Sequence, residues 1–337
     1  MSEQKASAVS GGTPSAAPGP ASSLSASLRT GAWLPVAVVV ALFVFFSLMT
    51  PSFLTMRNAT GLLGQASTLL IACLGGSFVI LMGSIDLSVG AMVLMSGAAT
   101  VVALNFGDIG AFALLFAVLL GTALGTLNGA IFAFGRIPSF VVTLGTLSIF
   151  TGAAWQLLEG RALRFDSNVF EMLAIGQLVP RVPNIALFAI AGWGLMTWVG
   201  LKTRFGRYMY SIGGGEAVAR IVGLPVRRYQ VYAFALSGAM AGLAGALATA
   251  RLGAAGPTLG QDLLLNSLAA IVVGGTSLAG GVGGVHRTLI GVLIIAFLDN
   301  GLNLMGVNQY TQMVIKGLVV VIAVLISQDR GRNFIIK

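Results

Sequence analysis

Apolar segments long enough to cross a lipid bilayer follow one another along most of this chain. About 20 consecutive apolar residues span the hydrocarbon core as an α-helix, which satisfies its backbone polar groups within one segment. The segments lie near 33–49, 61–83, 87–104, 110–134, 139–157, 184–201, 229–250, 263–281, 287–305 and 310–327. The chain is therefore predicted to be an all-α integral membrane protein with about ten transmembrane helices, including broken or short re-entrant segments.

The composition supports a single membrane domain. Hydrophobic residues make up 56% of the 337 residues and charged residues 9%, whereas soluble domains carry roughly 25% charged residues. We predict a transmembrane domain at 31–328 because its connections are too short to hold a soluble module. It is flanked by a disordered tail at 1–30, rich in Ser, Ala, Gly and Pro, and by a short tail at 329–337.

The basic residues carry a topology signal, since cytoplasmic segments are enriched in Lys and Arg. With both termini in the cytoplasm, the inside segments contain Arg136, the basic cluster between Lys202 and Arg228, and the basic C-terminus. The outer segments then contain a smaller set: Arg57, Arg161, Arg164, Arg181 and Arg251. The formal charge of +9 does not indicate nucleic acid, because the basic residues form no stripe with interleaved aromatics. The expected environment is the lipid bilayer.

Glycine is unusually frequent within the apolar segments, with 46 in the chain. Gly121, Gly125 and Gly129 recur every four residues, a spacing that lets helix backbones approach closely in lipid. The pairs Gly238/Gly242 and Gly280/Gly284 repeat this spacing. We predict that these glycines, together with Gly274 and Gly275, serve helix packing, the alternative being that one of them lines a solute path.

Asp86 places a carboxylate close to membrane depth, between Gly83 and Gly90 and with almost no loop around it. An acid at this position is costly unless it is paired or hydrated. A broken helix in which Asp86 and Ser88 cap the following span explains both the acid and the flanking glycines. A direct role in gating or solute contact is the alternative.

The loop at 202–228, between the sixth and seventh predicted spans, contains the clearest candidate for an interaction. Residues 216–223 can form a short helix with Glu216 and Arg220 paired at i,i+4 and Gly223 at its end. Its apolar residues would form one exposed face. Physical reasoning alone leaves two occupants for this face, a partner protein or the lipid surface.

Three motifs together resemble one transporter family. Ile85–Gly90 reads Ile-Asp-Leu-Ser-Val-Gly, Gly213–Leu224 contains the short loop helix, and Ile271–Gly281 is rich in glycine. In these motifs, and over nearly the whole chain beyond residue 30, the sequence closely resembles ribose-type sugar permeases, the membrane subunits of bacterial ABC importers. One departure is Gly215, where many members have Asn, which puts a local side-chain cap in doubt.

The resemblance implies a set of partners. Two copies of the chain would form the pathway as a homodimer in the bacterial inner membrane, with a cytoplasmic ABC ATPase below and a periplasmic sugar-binding protein delivering the solute. The chain itself is not expected to be an enzyme, because it has no GxxxxGK[ST] phosphate-binding loop. We expect it to bind no cofactor and no metal, since ATP and Mg would belong to the ATPase subunit.

The resemblance also assigns the loop helix as a coupling helix that fits a cleft on the ATPase. The residues assigned to this contact are Gly213, Gly214, Gly215, Glu216, Ala217, Ala219, Arg220 and Gly223. A connection at 156–183, which carries charges of both signs, is a candidate docking surface for the binding protein, although a solvated loop explains it nearly as well.

A sugar path needs partners for hydroxyl groups. The candidates are the intramembrane amides Gln65, Asn128, Asn266 and Asn300, each of which has interhelical hydrogen bonding as its alternative. Asp299 is a weaker candidate of the same kind as Asp86.

Other functions are less well supported. A permease for branched-chain amino acids or nucleosides would share this architecture, and an ion-coupled secondary transporter would place several acids near the midplane. A membrane enzyme would need a cluster of catalytic groups, and the single His286 with scattered acids supplies none.

Overall fold

The computed structural model describes residues 33–327, so the predicted tails at 1–30 and 329–337 lie outside the described part. This part is mostly helical. The helices are α1 Leu34–Met49, α2 Met56–Leu81, α3 Val89–Phe106, α4 Phe112–Gly135, α5 Ser139–Leu157, α6 Asn168–Ile175, α7 Asn184–Lys202, α8 Arg204–Gly214, α9 Glu216–Ile221, α10 Val226–Leu252, α11 Leu263–Val273, α12 Val285–Leu304 and α13 Gln309–Ser327. Two short strands, β1 Leu163–Arg164 and β2 Ala254–Ala255, pair antiparallel.

Seven helices in the described part are long and apolar enough to cross a membrane, namely α2, α3, α4, α5, α7, α10 and α12. They coincide with predicted segments, and they make the chain a multi-pass membrane protein. Shorter apolar stretches are α1, α11 and Gln309–Ile322 within α13.

The segment predicted as a span at 263–281 differs from the structure, because its helix α11 ends at Val273. The backbone then turns repeatedly into the left-handed region, with φ of +97° at Gly275, +82° at Gly280 and +140° at Gly284. L side chains rarely adopt these angles, so glycine is required and the helix cannot continue. The expectation that Gly280 and Gly284 form a helix-packing pair is therefore wrong.

Helix α10 packs along α4, and it also contacts α2 and α3. A Cβ on Gly121 would overlap the carbonyl oxygen of Gly238, and one on Gly125 would overlap that of Phe234. Gly129 would meet Val231 in the same way. The two helices thus touch backbone to backbone, which satisfies close packing where lipid offers no hydrophobic drive between helices.

Helix α1 packs against α12 through aromatic rings, and the centroids of Phe43 and Phe297 lie 5.9 Å apart. Phe46 is buried and covers Gly301, where a Cβ would overlap the ring. Phe53 and Leu302 complete this small cluster. The contact fixes one end of α1 on the helix that also forms part of the cavity described next.

Candidate functional site

A cavity of about 400 Å³ with both apolar and polar lining lies between α2, α10, α11, α12 and the loop that follows β2. This volume falls within the range of small-molecule sites, roughly 300–1,000 Å³. Its polar lining consists of Gln65, Thr68, Arg251, Thr258, Asp262, Asn266 and Asp299. The cavity therefore combines amides, hydroxyls and charges of both signs in a chain where charge is scarce.

One wall is held by a buried interhelical network. Asn266 Nδ2 on α11 donates to Asp299 Oδ2 on α12 at 3.0 Å, and Lys316 Nζ on α13 lies 3.2 Å from Asp299 Oδ1. Both charged side chains are nearly buried, with exposures of 9% for Lys316 and 13% for Asp299. The carboxylate is thereby compensated, as a buried charge must be.

The opposite wall contains Arg251, in the last turn of α10. Its side chain crosses Gly64 of α2, where a Cβ would lie 3.0 Å from Arg251 Cδ. The Nε atom is buried and has no hydrogen-bond partner in residues 33–327. Arg251, counted in the sequence as a marker of the outer side, is in fact part of the cavity.

The predicted amides separate into two groups. Gln65 and Asn266 line the cavity. Asn128 Nδ2 instead donates to Ser88 Oγ at 2.8 Å, and Asn300 exchanges two hydrogen bonds with Asn58, at 3.0 and 2.9 Å. The second group joins helices and does not face the cavity.

Asp86 lies in the break between α2 and α3 and is buried, with 8% exposure. Its Oδ1 accepts from Ser88 N at 2.9 Å and from Ser88 Oγ at 2.7 Å, and its Oδ2 accepts from Ser237 Oγ on α10 at 2.9 Å. Ser88 Oγ donates to this carboxylate and accepts from Asn128 but accepts from no backbone N–H of α3, so that part of the capping prediction is wrong. Asp86 joins the break to α10 and lies outside the main cavity. Gly90 packs against Gly260, whose carbonyl oxygen a Cβ would overlap.

Three glycine segments meet just beyond the C-terminal end of α2, and we call this contact the glycine junction: Gly83, Gly213–Gly214 and Gly280–Gly281. Gly281 N donates to Leu81 O at 2.8 Å. A Cβ on Gly280 would lie 2.7 Å from Gly83 N and 2.9 Å from Gly213 Cα. The three backbones are in direct contact because none of them carries a side chain there.

Tyr210 adds a side-chain bond to the glycine junction. Its Oη donates to Gly283 O at 2.7 Å. Burial raises the pKa of the Tyr210 phenol, against a smaller opposing effect of Arg287, so the hydroxyl stays a donor at neutral pH. Helix α8 is therefore bonded to the loop that joins α11 to α12.

Helix α9 begins directly after the glycine junction. Glu216 and Arg220 form the i,i+4 ion pair that the sequence indicates, and Gly223 has φ of +81° just beyond the helix. Val218, Ile221 and Val222 are exposed, at 64%, 84% and 69%, whereas Ala219 is buried. Ala217 is exposed as well. The helix thus presents an apolar surface that no residue of the described part covers.

Gly215 sits between α8 and α9 in extended backbone, with φ of 171°. Any residue adopts this conformation, and a Cβ would make only ordinary contacts, 3.7 Å or more from Val218. The presence of glycine at 215, where many members of the resembled family have Asn, therefore does not require a different local backbone conformation. Gly214 has open space around a Cβ, whereas Gly213 does not.

Sequence reasoning did not identify Arg251, Thr258 or Asp262 as cavity residues, or Lys316 as the partner of Asp299. Lys316 had an available signal, because a lysine within an apolar segment requires a buried acid nearby. Thr258 and Asp262 had none, since they lie in a loop whose fold is decided by distant contacts.

Comparison with known proteins gives a consistent result. Residues 58–324 match the family described as "Branched-chain amino acid transport system / permease component". The chain is 36% identical over 315 residues to the ribose import permease protein RbsC of Escherichia coli (strain K12), covering 89% of this chain and 96% of that protein.

Two further relatives extend the comparison. The ribose import permease protein RbsC of Bacillus subtilis (strain 168) is 39% identical over 296 residues, covering 86% of this chain and 90% of its own length. The D-allose transport system permease protein AlsC of Escherichia coli (strain K12) is 36% identical over 305 residues, covering 89% and 91%. The residues that match the family model, 58–324, contain the cavity, the glycine junction and α9.

Proposed function

This chain belongs to the family of permease components of branched-chain amino acid transport systems, and we propose that it is the membrane-spanning permease of an ATP-driven ABC sugar importer. The observation that carries the proposal is similarity over 86–89% of the chain to permeases named for ribose and D-allose. The solute is a monosaccharide or a related polyol, taken from the periplasm to the cytoplasm across the bacterial inner membrane.

The cavity is the part of the pathway that receives the solute from outside. A sugar hydroxyl both donates and accepts hydrogen bonds, and the amides of Gln65 and Asn266 do the same. Few contacts are needed, because a transport site has to release its solute. Asn128, Asn300, Asp86, Ser88 and Gly90 serve the packing around it.

The orientation follows from the basic residues. The α8–α9 region and its arginines lie on the cytoplasmic side, which places the glycine junction there and the cavity on the outer side. Helices α1, α11 and α13 complete ten membrane crossings, of which α11 is a short, broken one that the loop 274–284 continues to the cytoplasmic side. Both termini are then cytoplasmic.

Helix α9 is the coupling helix. Its exposed Val218, Ile221 and Val222 are buried in a cleft of the ATPase subunit, which binds and hydrolyses ATP with Mg. Movement of α9 reaches the glycine junction directly, because only Gly215 lies between Gly214 of the junction and Glu216, the first residue of α9. From there the loop 274–284 passes the movement to α11 and α12, which carry Asn266 and Asp299.

The complete importer contains two copies of this chain, two ATPase domains and a periplasmic sugar-binding protein. The second copy would cover part of the apolar surface that faces outward from the described helices, and lipid covers the rest. The connection between α5 and α7 is the proposed docking surface for the binding protein. Its Asp108–Ser167 hydrogen bond, 2.7 Å long, anchors the start of α6.

A permease for branched-chain amino acids is the second candidate, because the family description names that solute. The cavity has an arginine and two carboxylates, which would suit the two charges of an amino acid. Both candidates are ATP-driven importers, and they differ in the solute that they take up, a sugar or a branched-chain amino acid.

The test is reconstitution of the chain in liposomes with the ATPase and the solute-binding proteins encoded beside it. We expect ATP-dependent uptake of ribose or D-allose, with no uptake of leucine. Uptake of leucine alone would transfer the assignment to the amino acid candidate. Uptake driven by an ion gradient without ATP would contradict both.

A further inference from the structure

We propose that Arg251 is a solute-contacting residue that determines specificity in the cavity, donating from its guanidinium group to neighbouring hydroxyl oxygens of a neutral sugar. This inference rests on the proposed function and adds to it a residue that the sequence pattern assigned to topology alone. It is carried by the position of the side chain, by its lack of a hydrogen-bond or ion-pair partner among residues 33–327 and by the chemistry of the cavity that it lines.

The position of Arg251 is specific. It ends α10 and crosses the backbone of α2 at Gly64, where even a methyl group would come within 3.0 Å of Cδ. Glycine at 64 thus leaves the space in which the arginine lies. A basic residue that only marked the membrane surface would need no such space, because its side chain would extend into water.

The guanidinium has unused hydrogen-bonding capacity. No hydrogen bond or ion pair joins Arg251 to any residue of the described part, and Nε is buried. A buried donor without a partner is costly, and natural proteins satisfy such groups with protein, water or ligand. Asp299, which lines the same cavity, is arranged differently, since it is held by Lys316 and Asn266.

The groups that share the cavity select the solute class. Lys316 compensates Asp299, and Asp262 balances the charge of Arg251, so the cavity has no excess positive charge for an anion such as a sugar phosphate or a sugar acid. A neutral polyol needs no such excess, and its adjacent hydroxyls match the fork of a guanidinium. Gln65 and Asn266 supply amide groups for the remaining hydroxyls.

The experiment measures uptake by the complete importer in liposomes for wild type, Arg251→Gln and Arg251→Lys, with radiolabelled ribose and D-allose as probes. We expect the maximal rate of uptake to fall about tenfold in both variants, the effect of losing one charged hydrogen bond. ATP hydrolysis stimulated by the loaded binding protein should fall less, so that more ATP is consumed per sugar. Arg57→Gln, an exposed arginine at the start of α2, is the matched control and should keep normal uptake.

A second variant separates contact from folding. Gly64→Ala leaves Arg251 in place but shifts its side chain by a few tenths of an ångström, so uptake should fall less than in Arg251→Gln while the thermal unfolding temperature changes little. Normal sugar uptake in Arg251→Gln would overturn the inference although the wild type transports sugar. Equal losses of uptake and stimulated ATP hydrolysis in all Arg251 and Gly64 variants would also overturn it, in favour of a structural role. Absence of ATP-dependent sugar uptake in the wild type would instead contradict the proposed function.

Discussion

Gly213 lies directly against Leu81, so that a Cβ at position 213 would overlap the Leu81 carbonyl oxygen. The same oxygen accepts the hydrogen bond from Gly281 N, at 2.8 Å. One carbonyl group at the end of α2 therefore contacts both α8 and the loop that leads from α11 to α12.

The first expectation concerns this contact. Gly213→Ala should separate α8 from Leu81 and weaken the Gly281 bond. The added Cβ would overlap backbone atoms of Leu81 and Gly281, and the overlap can be relieved only if these backbone segments move apart. We expect uptake to fall about tenfold, and an overpacking cost of roughly 1–3 kcal/mol in the free energy of unfolding. Gly214→Ala is the matched control, since a Cβ there meets nothing within 4 Å. ATP-dependent uptake and thermal unfolding of the purified complex measure both effects, and similar behaviour of the two variants would contradict the role of the glycine junction.

The apolar surface of α9 gives the second expectation. Ile221→Asp places a charge where the ATPase would bury an 84% exposed side chain, so the ATPase should no longer copurify in mild detergent. The isolated permease should keep its stability, because Ile221 is exposed within the chain. Leu178→Asp, at 83% exposure in the connection between α6 and α7, is the control and should retain the ATPase. Retention of the ATPase by Ile221→Asp would argue against α9 as the coupling helix.

Asp86 gives the third expectation. Asp86→Leu leaves Ser88 N–H and the Ser88 and Ser237 hydroxyls without their acceptor, and each lost bond costs about 1–3 kcal/mol where the group stays buried. Asp86→Asn keeps one acceptor oxygen and should cost less. Thermal unfolding in detergent should therefore rank wild type above Asn and Asn above Leu. A Leu variant as stable as wild type would show that the helix break does not need the carboxylate.

The buried ion pair beside the cavity gives the fourth expectation. Lys316→Met leaves Asp299 as an uncompensated buried charge, with an expected loss of about 3–5 kcal/mol. Adding Asp299→Asn should recover most of this loss, because no buried charge remains. Chemical unfolding of the two single variants and the double variant forms a double-mutant cycle. Additive losses would indicate that the two side chains do not interact in the membrane.

The sequence predicts the long helices well because hydropathy over about 20 residues depends little on distant contacts. It fails at 263–281, where an apolar composition conceals glycines with left-handed backbone. The sequence indicates that Asp86 lies at a helix break, but it does not indicate the bond to α10, because the donor to Oδ2 is Ser237, 151 residues away. The sequence assigns Arg251 to the outer membrane surface for a related reason. A basic residue at the end of an apolar segment has the same neighbours in sequence whether its side chain faces water or a cavity.

The reciprocal bond between Asn58 and Asn300 constrains how the pathway can open. Two amides that exchange both hydrogen bonds hold α2 and α12 at a fixed separation beside the cavity, so these helices form one rigid frame. A change in cavity width then requires displacement of α10, of α11 or of the loop after β2 relative to that frame. Of these helices α11 is the shorter, with 11 residues followed by left-handed glycines, and its displacement from α12 would break the bond from Asn266 to Asp299.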